Sequence, residues 1–300
     1  MFGAIIVNGY FSNESILNQT GRLIEEFDKL GIKTELLKSN EVVSFLPENK
    51  FYEIKNGTLI PLKNYDFIVY LNKDRYQAEN LERAGYRLFN KAQAIIDCDD
   101  KMLTYNKLSG KVSVPETISS PIMYGSSDDK NFLNTTESRL GYPIIVKNVY
   151  GSMGKEVYKA DNRTELDELF NKLKFFPHLY QKAIMPLGTD IRVTVIGGKA
   201  VSAMRRTSMS DFRSNAALGG TCEKTELTDD LKEISELSAK ILNLDYAGVD
   251  ILSDGVKNYV CEVNSNAFFK KSEEVTGVNI AGLYAGHIAK ELSEKKHKIK

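Results

Sequence analysis

The sequence predicts an α/β protein in which a parallel sheet forms within about the first 96 residues and mixed strand-and-helix lobes follow. Short apolar runs alternate with amphipathic stretches in the first part, an order typical of parallel sheets. From Gly141 onward, strands run into glycine-containing loops or hairpins before each helix. Of the 300 residues, 42% are hydrophobic and 27% charged, the balance of a globular protein large enough for two or three lobes.

The elements of the first part can be justified one by one. Ala4–Asn8 is an apolar run that predicts a buried strand, and the apolar spacing over 16–30 predicts a helix that ends at Gly31. Asn56-Gly57 between two β-prone runs predicts a hairpin. In chain order, the predicted strands are 4–8, 34–37, 51–54, 58–60, 66–71, 143–147, 156–160, 179–181, 191–196, 199–205, 247–252 and 258–263. The predicted helices are 16–30, 74–84, 101–109, 164–173, 229–242 and 280–292, with a surface loop over 125–134.

Charge, cysteine usage and hydropathy exclude several classes of protein. Lysine plus arginine number 40, as do aspartate plus glutamate, so the chain has no overall attraction for nucleic acid or an acidic membrane. Its three cysteines are widely separated and favour reduced thiols in the cytosol. The first apolar run turns polar at once, unlike a signal peptide, and no run approaches the ~20 residues that span a bilayer. We expect a cytoplasmic protein.

A candidate metal site lies near the end of the chain, on two neighbouring strands. Glu262 and Asn264 are two residues apart and therefore share one face of a strand. If the hairpin is symmetric about Val256, Asp250 lies opposite Glu262. Two carboxylates and an amide carbonyl are hard oxygen donors suited to Mg²⁺. The alternative is a half-exposed sheet with outward polar residues, but Asp and Asn are poor strand formers.

Two further patterns indicate anion binding. Lys147 ends an apolar strand just before Gly151–Gly154, where backbone N–H groups can approach phosphate oxygens. The alternative for this loop is a tight hairpin turn. Arg205, Arg206 and the later segment from Arg213 to Asn215 offer guanidinium groups to phosphate or carboxylate, the alternative being a surface loop with solvated charges.

A nucleophile–base system is not supported by the sequence. Gly-x-Ser-x-Gly is absent, and the three histidines have no evident partners. His178 beside Phe176 and Pro177 is therefore expected to be a structural or surface residue.

Taken in order, these segments resemble the ATP-grasp superfamily and, within it, the RimK-like amino-acid ligases. The resemblance covers roughly residues 91 to 290. It is strongest in the blocks Asp190–Arg192, Asp211–Asn215, Ala247–Leu252, Glu262–Asn264 and Thr276–Gly282. It implies an α/β N-terminal domain plus two α+β ATP-grasp lobes. The implied domains are 1–97 (a preATP-grasp domain), 98–184 (the central lobe) and 185–300 (the C-terminal lobe with the metal site).

The resemblance also implies roles for particular residues. Lys101 and Lys147 would contact the ATP phosphates beneath the loop that contains Ser152, and Asp190 would hold the ribose. Arg213 and Asn215 would lie at the phosphate and acceptor end, where one of Arg205 and Arg206 would stabilise an acyl phosphate. The adenine strand carries Gln181, Lys182 and Ala183, of which the last two would offer backbone groups. The metal ligands would be Asp250, Glu262 and Asn264.

Two departures from the family pattern bear on specificity. Relatives usually carry Gln-Glu-Tyr or a similar acidic pair at the adenine strand, where this chain has Gln181-Lys182-Ala183. A basic residue usually precedes the Gly-Gly after the Arg-Ser-Asn block, where this chain has Ala216-Ala217-Leu218. The first puts side-chain contacts to adenine in doubt, and the second weakens any transfer of acceptor specificity.

The function implied is that of an ATP-dependent carboxylate–amine ligase acting through an acyl phosphate, with ATP and Mg²⁺, or Mn²⁺ in its place. The expected partner is a small amino acid or peptide, recognised through Arg192, Arg213 and Asn215, with no nucleic acid or membrane; homo-oligomers are left open. The alternative is a non-catalytic ATP- or peptide-binding protein that keeps the fold. A sugar or nucleotide kinase would need an acidic base beside a hydroxyl acceptor, for which no motif is present.

Overall fold

A computed structural model describes residues 1–11, 13–125, 130–151, 154–214 and 220–298, which form four sheets with helices packed against them. The strands are β1 Phe2–Val7, β2 Lys33–Lys38, β3 Val42–Phe45, β4 Lys50–Lys55, β5 Thr58–Pro61, β6 Phe67–Leu71, β7 Leu88–Phe89, β8 Thr117–Ser119, β9 Ile144–Asn148, β10 Val157–Ala160, β11 His178–Lys182, β12 Thr189–Ile196, β13 Lys199–Thr207, β14 Thr221–Lys224, β15 Tyr246–Ser253 and β16 Asn258–Asn264. The helices are α1 Glu14–Lys29, α2 Arg75–Arg83, α3 Ala92–Asp99, α4 Lys101–Leu108, α5 Asn131–Leu140, α6 Arg163–Leu173, α7 Asp229–Ile241, α8 Lys270–Thr276 and α9 Ile280–Lys298.

The first sheet has the order β2-β1-β6-β7, and its strands pair in parallel. Helix α1 is capped at its N-terminus by Asn13, whose side chain accepts a hydrogen bond of 2.8 Å from the backbone N–H of Ile16. It ends before Gly31, which has a φ of +68° that only glycine adopts without strain. Its apolar stripe, including Leu23 and Phe27, is buried against this sheet and against α9. The last helix therefore shares a core with the first sheet.

A small antiparallel sheet, β3-β4-β5, is inserted after β2. The β4–β5 hairpin turns at Asn56 and Gly57, which have φ values of +50° and +76°. Positive φ at both central residues is the requirement of the tight hairpin turn that Asn-Gly predicts. One face of this sheet, with Val42 and Phe51, is buried in the core around β6.

Two antiparallel sheets follow, with the orders β10-β9-β11-β8 and β14-β13-β12-β15-β16. The second is amphipathic. Its apolar face, including Val193, Val249 and Val263, packs on α7. Its other face carries polar and charged residues. A register shift lies between Asp250 and Ile251, where β15 meets β16.

Seven elements were not predicted from the sequence. The segment 125–134, expected to be a loop, contains the start of α5 at Asn131, because Leu133, Thr136 and Leu140 form a short buried stripe. Helices α3 and α8 and strands β3, β7, β8 and β14 were also missed. Each is short, with at most eight residues, so periodicity gives little signal. In the described part of the chain, no helix is long and apolar enough to cross a membrane.

Candidate active site

A cleft lies between the β9–β11 sheet and the polar face of the five-stranded sheet. It encloses about 940 Å³ of space, part of it open to solvent. Six lysines and arginines and four aspartates and glutamates line it in the described part of the chain. This excess of positive charge suits an anionic ligand. The lining includes Lys101, Lys147, Gln181, Lys182, Asp190, Arg206, Arg213, Asp250 and Glu262.

Lys147 is held in the cleft by a short chain of hydrogen bonds. It is 5% exposed, and its Nζ donates to Oε1 of Gln181 at 2.7 Å. The Gln181 amide is oriented by its own bond from Nε2 to the hydroxyl of Thr117, at 2.8 Å. Sγ of Cys261, from the other sheet, lies 3.5 Å from the same Nζ. Gln181 therefore positions the Lys147 ammonium at the junction of the two sheets.

The two buried lysines differ in their electrostatic surroundings. Burial alone would lower the pKa of the Lys147 ammonium, but Cys261, Tyr105 and Glu262 outweigh burial and the pKa is raised. The pKa of Lys101 is lowered, chiefly by burial, and the nearby Lys147 adds to this effect while Glu262 opposes it. A bound anion would relieve the repulsion between the two ammonium groups.

Both ends of the glycine loop are tied by cations. Nζ of Lys101 donates to the carbonyl oxygen of Gly151 at 3.0 Å, and Nη1 of Arg213 donates to that of Gly154 at 2.6 Å. Asp211 holds the Arg213 fork, with bonds of 2.9 Å from Nε and 2.7 Å from Nη2. Two residues predicted for this site, Ser152 and Asn215, lie outside the described residues.

The polar face of the five-stranded sheet carries a chain of alternating charges. The register pairs Asp190 with Arg206 and Arg192 with Asp250. Arg206 is 3% exposed and grips both oxygens of Asp190, with 2.6 Å between Nε and Oδ1, and its Nη2 lies 2.9 Å from Oδ2 of Asp250. Arg192 donates to both oxygens of Asp250 at 2.7 Å.

These contacts shift the pKa values of Asp250 and Arg206. Burial would raise the pKa of Asp250, but Arg192 and Arg206 hold it below its usual range. Burial would likewise lower the pKa of Arg206, and Asp250 and Asp190 raise it. The Asp190 carboxylate proposed for ribose is already engaged by Arg206.

The structure brings two of the three predicted metal ligands face to face. Asp250 pairs with Glu262 across β15 and β16, as the symmetric hairpin predicts, and Asn264 lies two residues further on the same face. Neither side chain, of Glu262 or of Asn264, has a hydrogen-bond partner in the described part of the chain, so their side-chain oxygens fit a hard cation. Asp250 could act as a third ligand only if its carboxylate oxygens, which already contact Arg192 and Arg206, also bound the cation. Among described residues, no cluster of three or more His, Cys, Asp or Glu suited to a metal is present.

Other predicted residues are placed as follows. The backbone N–H of Lys182 already donates to the carbonyl of Glu116 at 2.9 Å. Hydrogen bonding of an adenine edge would therefore fall to the other backbone groups of Lys182 and Ala183.

The side chain of Arg205 is 42% exposed, and its Nε lies 3.8 Å from Glu223. Arg206 faces the cleft and Arg205 does not, an outcome set by the alternation of β13.

Several residues of the site had no recognisable pattern in the sequence. Thr117, Tyr105 and Cys261 reach it only through tertiary packing, the Tyr105 hydroxyl donating to the carbonyl of Cys261. Asp211 belongs to Asp211–Asn215, one of the blocks in which the family resemblance is strongest, and it precedes Arg213 by two residues. An acidic residue at that spacing from a functional arginine is a signal that could have found it.

Comparisons with known proteins show which family the chain belongs to. A sequence model of the RimK-like ATP-grasp domain matches residues 98–288. The chain belongs to the RimK-like ATP-grasp family.

Individual relatives are ligases. Human N-acetylaspartylglutamate synthase A is 33% identical over 213 residues, covering 69% of this chain and 54% of the relative. The alpha-aminoadipate–LysW ligase LysX of Saccharolobus solfataricus is 28% identical over 269 residues, covering 86% and 92%. This chain spans about half the length of the first of these relatives.

A solved structure shows the same fold. The D-alanine–D-alanine ligase of Bacillus anthracis, in complex with ATP, superposes with a TM-score of 0.73, covering 99% of each chain at 21% identity. The chain therefore has the ATP-grasp α+β fold.

Proposed function

We propose that this chain is an ATP-dependent carboxylate–amine ligase that forms a peptide or amide bond through an acyl phosphate. The observation that carries the proposal is the cleft between two sheets, where Lys101, Lys147 and Arg206 converge opposite Glu262. Phosphoryl transfer needs chiefly positioning and charge neutralisation, which buried cations in a fixed arrangement supply. The fold and the named relatives support this assignment.

The proposed lobes divide the work. Residues 1–97 form the preATP-grasp domain, 98–184 the central lobe and 185–300 the C-terminal lobe. Lys101 and Lys147 bind the phosphates, a role to which we also assign Ser152, and Gln181 orients Lys147. Lys182 and Ala183 offer backbone groups to adenine, and Asp190 lies at the ribose end.

We place a magnesium site, or manganese in its place, at Glu262 and Asn264, with Asp250 beside them. The side-chain oxygens of Glu262 and Asn264, which have no hydrogen-bond partner among the described residues, are of the donor type that both ions accept. A bound ion would neutralise charge on the transferred phosphoryl group. The Asp250–Arg192 pair joins β15 to β12 and so keeps Asp250 beside these two ligands.

The reaction takes place in two steps. A substrate carboxylate oxygen attacks the γ-phosphorus of ATP, and ADP leaves while Lys147 and Arg206 stabilise the charge on the phosphoryl oxygens. The amine nitrogen then attacks the acyl carbon, phosphate leaves, and the amine gives up a proton.

The substrate is an amino acid or a peptide. Arg213, which lies beside the glycine loop, offers a guanidinium to a substrate carboxylate, and we assign Asn215 to the same ligand. Arg192 has two donors committed to Asp250, so only its remaining nitrogen is free for a ligand.

Product analysis tests the proposal. The protein is incubated with ATP, Mg²⁺ and pooled acids and amines, and products are read by mass spectrometry. ADP, phosphate and a condensed product are expected. AMP and pyrophosphate would contradict the acyl-phosphate route, and tight ATP binding without any turnover would favour the non-catalytic alternative.

A further inference from the structure

Strand β16 carries one residue more than its pairing with β15 requires. The register pairs Asp250 with Glu262 and Ile251 with Val260, so Cys261 is the extra residue of a β-bulge. On a regular strand, neighbouring residues point to opposite faces of the sheet. The bulge breaks this alternation, because Cys261 and Glu262 both line the cleft.

The residues on either side show what the bulge achieves. Val260 and Val263 are both fully buried in the core on the opposite face of the sheet. On a strand without the bulge, Glu262 would share the face of Val260, and its carboxylate would point into that apolar core. The extra residue turns Glu262 to the cleft instead. The proposed metal site therefore depends on the bulge.

A tyrosine from another element holds the bulge. Tyr105 of α4 is 3% exposed, and its hydroxyl donates a hydrogen bond to the carbonyl oxygen of Cys261. The extra residue of a bulge is left out of the regular ladder, and a buried carbonyl without a donor is costly. Burial raises the pKa of Tyr105 to about 12, so the hydroxyl keeps the proton that it donates.

The helix that carries Tyr105 also carries a lysine of the proposed phosphate site. Lys101 lies four residues before Tyr105, on the same face of α4. Its Nζ donates to the carbonyl of Gly151 in the glycine loop at 3.0 Å. The side chain of Gln181, which orients Lys147, is also hydrogen-bonded to the Tyr105 hydroxyl. Tyr105 thus joins the phosphate side of the cleft to the strand of the metal ligands.

We propose that Tyr105 is a positioning residue for the metal site, because its hydroxyl fixes the bulge at Cys261 and so turns the Glu262 carboxylate into the cleft. The inference rests on the proposed function, in which Glu262 binds magnesium. Tyr105 acts through the strand and not by touching the ion, since its hydroxyl is committed to Cys261. Groups that orient metal ligands affect metal affinity much as the ligands do.

The competing account is that Tyr105 is an ordinary core tyrosine, whose hydroxyl only stabilises the fold. The two accounts differ in what removal of the hydroxyl does. A purely structural role predicts lower thermal stability with unchanged metal affinity. A positioning role predicts that metal affinity falls, because Glu262 is no longer held in place.

Titration of Mn²⁺ into the protein with ADP tests the proposal without turnover. The relaxation rate of water protons reports the protein-bound ion, and ADP without protein is the blank. Tyr105→Phe removes only the hydroxyl and should weaken Mn²⁺ binding by about tenfold, as expected when a group that orients a metal ligand is lost. In turnover, the Mg²⁺ concentration for half the maximal rate should rise by a similar factor, with a smaller change in the rate at saturating Mg²⁺.

The matched control is Tyr70→Phe. Tyr70 is 2% exposed in the core around β6, and its hydroxyl also donates to a backbone carbonyl, that of Asp74, at 3.0 Å. This variant should lose comparable thermal stability, since one buried hydrogen bond is removed in each case. Its affinity for Mn²⁺ should equal that of the unaltered protein.

Two results with folded variants would overturn the proposal. They are unchanged Mn²⁺ affinity in Tyr105→Phe, and an equal loss of affinity in Tyr70→Phe, which would make the effect one of stability. Circular dichroism verifies folding. If Tyr105→Phe does not fold, hydrogen exchange on the unaltered protein decides. Adding Mn²⁺ to the ADP complex should then protect α4 together with β16, and protection of β16 alone would contradict the link.

Failure of the proposed function would look different. An unaltered protein that binds Mn²⁺ with ADP but makes no condensed product would refute the ligase, and the two variants would still decide the role of Tyr105. An unaltered protein that binds no Mn²⁺ with ADP would refute the metal site and this inference with it.

Discussion

Arg192 and Asp250 face each other on neighbouring strands, and the guanidinium donates to both carboxylate oxygens at 2.7 Å. The same carboxylate also lies 2.9 Å from Arg206. One aspartate thus orients two arginines, one of which lines the cleft. The Arg192–Asp250 pair therefore joins β12 to β15 and holds in place the carboxylate that contacts Arg206 in the cleft.

The first prediction concerns this pair. Arg192→Lys keeps the charge but loses the fork, and should lower the free energy of unfolding by about 1–3 kcal/mol. Thermal unfolding monitors the loss. The acceptor KM should change less than about threefold, since two donors of Arg192 are committed to Asp250. An unchanged melting temperature with a tenfold higher acceptor KM would instead assign Arg192 to a substrate carboxylate.

The second prediction concerns the metal ligands. Glu262→Gln removes a charge from a partly exposed strand position without altering its shape, so the fold should survive. Turnover should fall by at least ~100-fold, the scale of losing one key electrostatic group, and stabilisation by Mg²⁺ in thermal unfolding should disappear. Glu223→Gln, on the outer strand of the same sheet, is the matched control and should retain both properties. Near-normal turnover in Glu262→Gln would remove this residue from the site.

The third prediction distinguishes two adjacent arginines. Arg206 is buried in the cleft, whereas the side chain of Arg205 is 42% exposed and pairs only loosely with Glu223. Arg206→Lys should lower kcat by about 100-fold or more, because a fork that touches two carboxylates is lost. Arg205→Lys should stay within about twofold. The opposite ranking in steady-state kinetics would exchange their roles.

The pairing of the two strands that carry the proposed metal ligands was predicted correctly, because a hairpin restricts geometry. Symmetry about Val256 placed Asp250 opposite Glu262, and the structure has that pairing. The register shift next to Asp250 left no sequence signal. It explains why Val260 and Val263, three residues apart, are both buried, and why Cys261 between them reaches Lys147.

Contacts between lobes could not be predicted at all. The bond from Arg213 to Gly154 joins segments 59 residues apart. In the sequence, Gln181 was assigned only to the adenine strand. Its hydrogen bond to Lys147 depends on β9 and β11 pairing in one particular register. Periodicity describes which face a residue occupies, but the partner on another element is set by packing.

The fourth prediction concerns pH. His178 is 1% exposed, between the carbonyl of Phe176 and the hydroxyl of Tyr180, and burial lowers its pKa from 6.5. The unfolded chain therefore binds a proton that the folded chain resists, and His178 favours unfolding increasingly as the pH falls below about 6.5. The melting temperature should drop less between pH 7.5 and 5 in His178→Gln than in the unaltered protein. Identical slopes in thermal unfolding would contradict this role.

The fifth prediction concerns Arg213, which sits between the nucleotide loop and the proposed acceptor site. Its fork is held by Asp211, and its Nη1 donates to the carbonyl of Gly154. A lysine at this position cannot make all these contacts, so the loop should close less well over the phosphates. Arg213→Lys should therefore raise the KM for ATP by about tenfold, a loss of roughly 1.4 kcal/mol.

The acceptor KM separates the two roles of Arg213. If the guanidinium also reads a substrate carboxylate, both KM values should rise, because the bidentate fork is lost for each ligand. Asp211→Asn is the matched variant, since it loosens the same fork while keeping the arginine. It should reproduce the effect on ATP in weaker form. A higher acceptor KM with an unchanged KM for ATP would assign Arg213 to the substrate alone and leave the loop closed by Lys101.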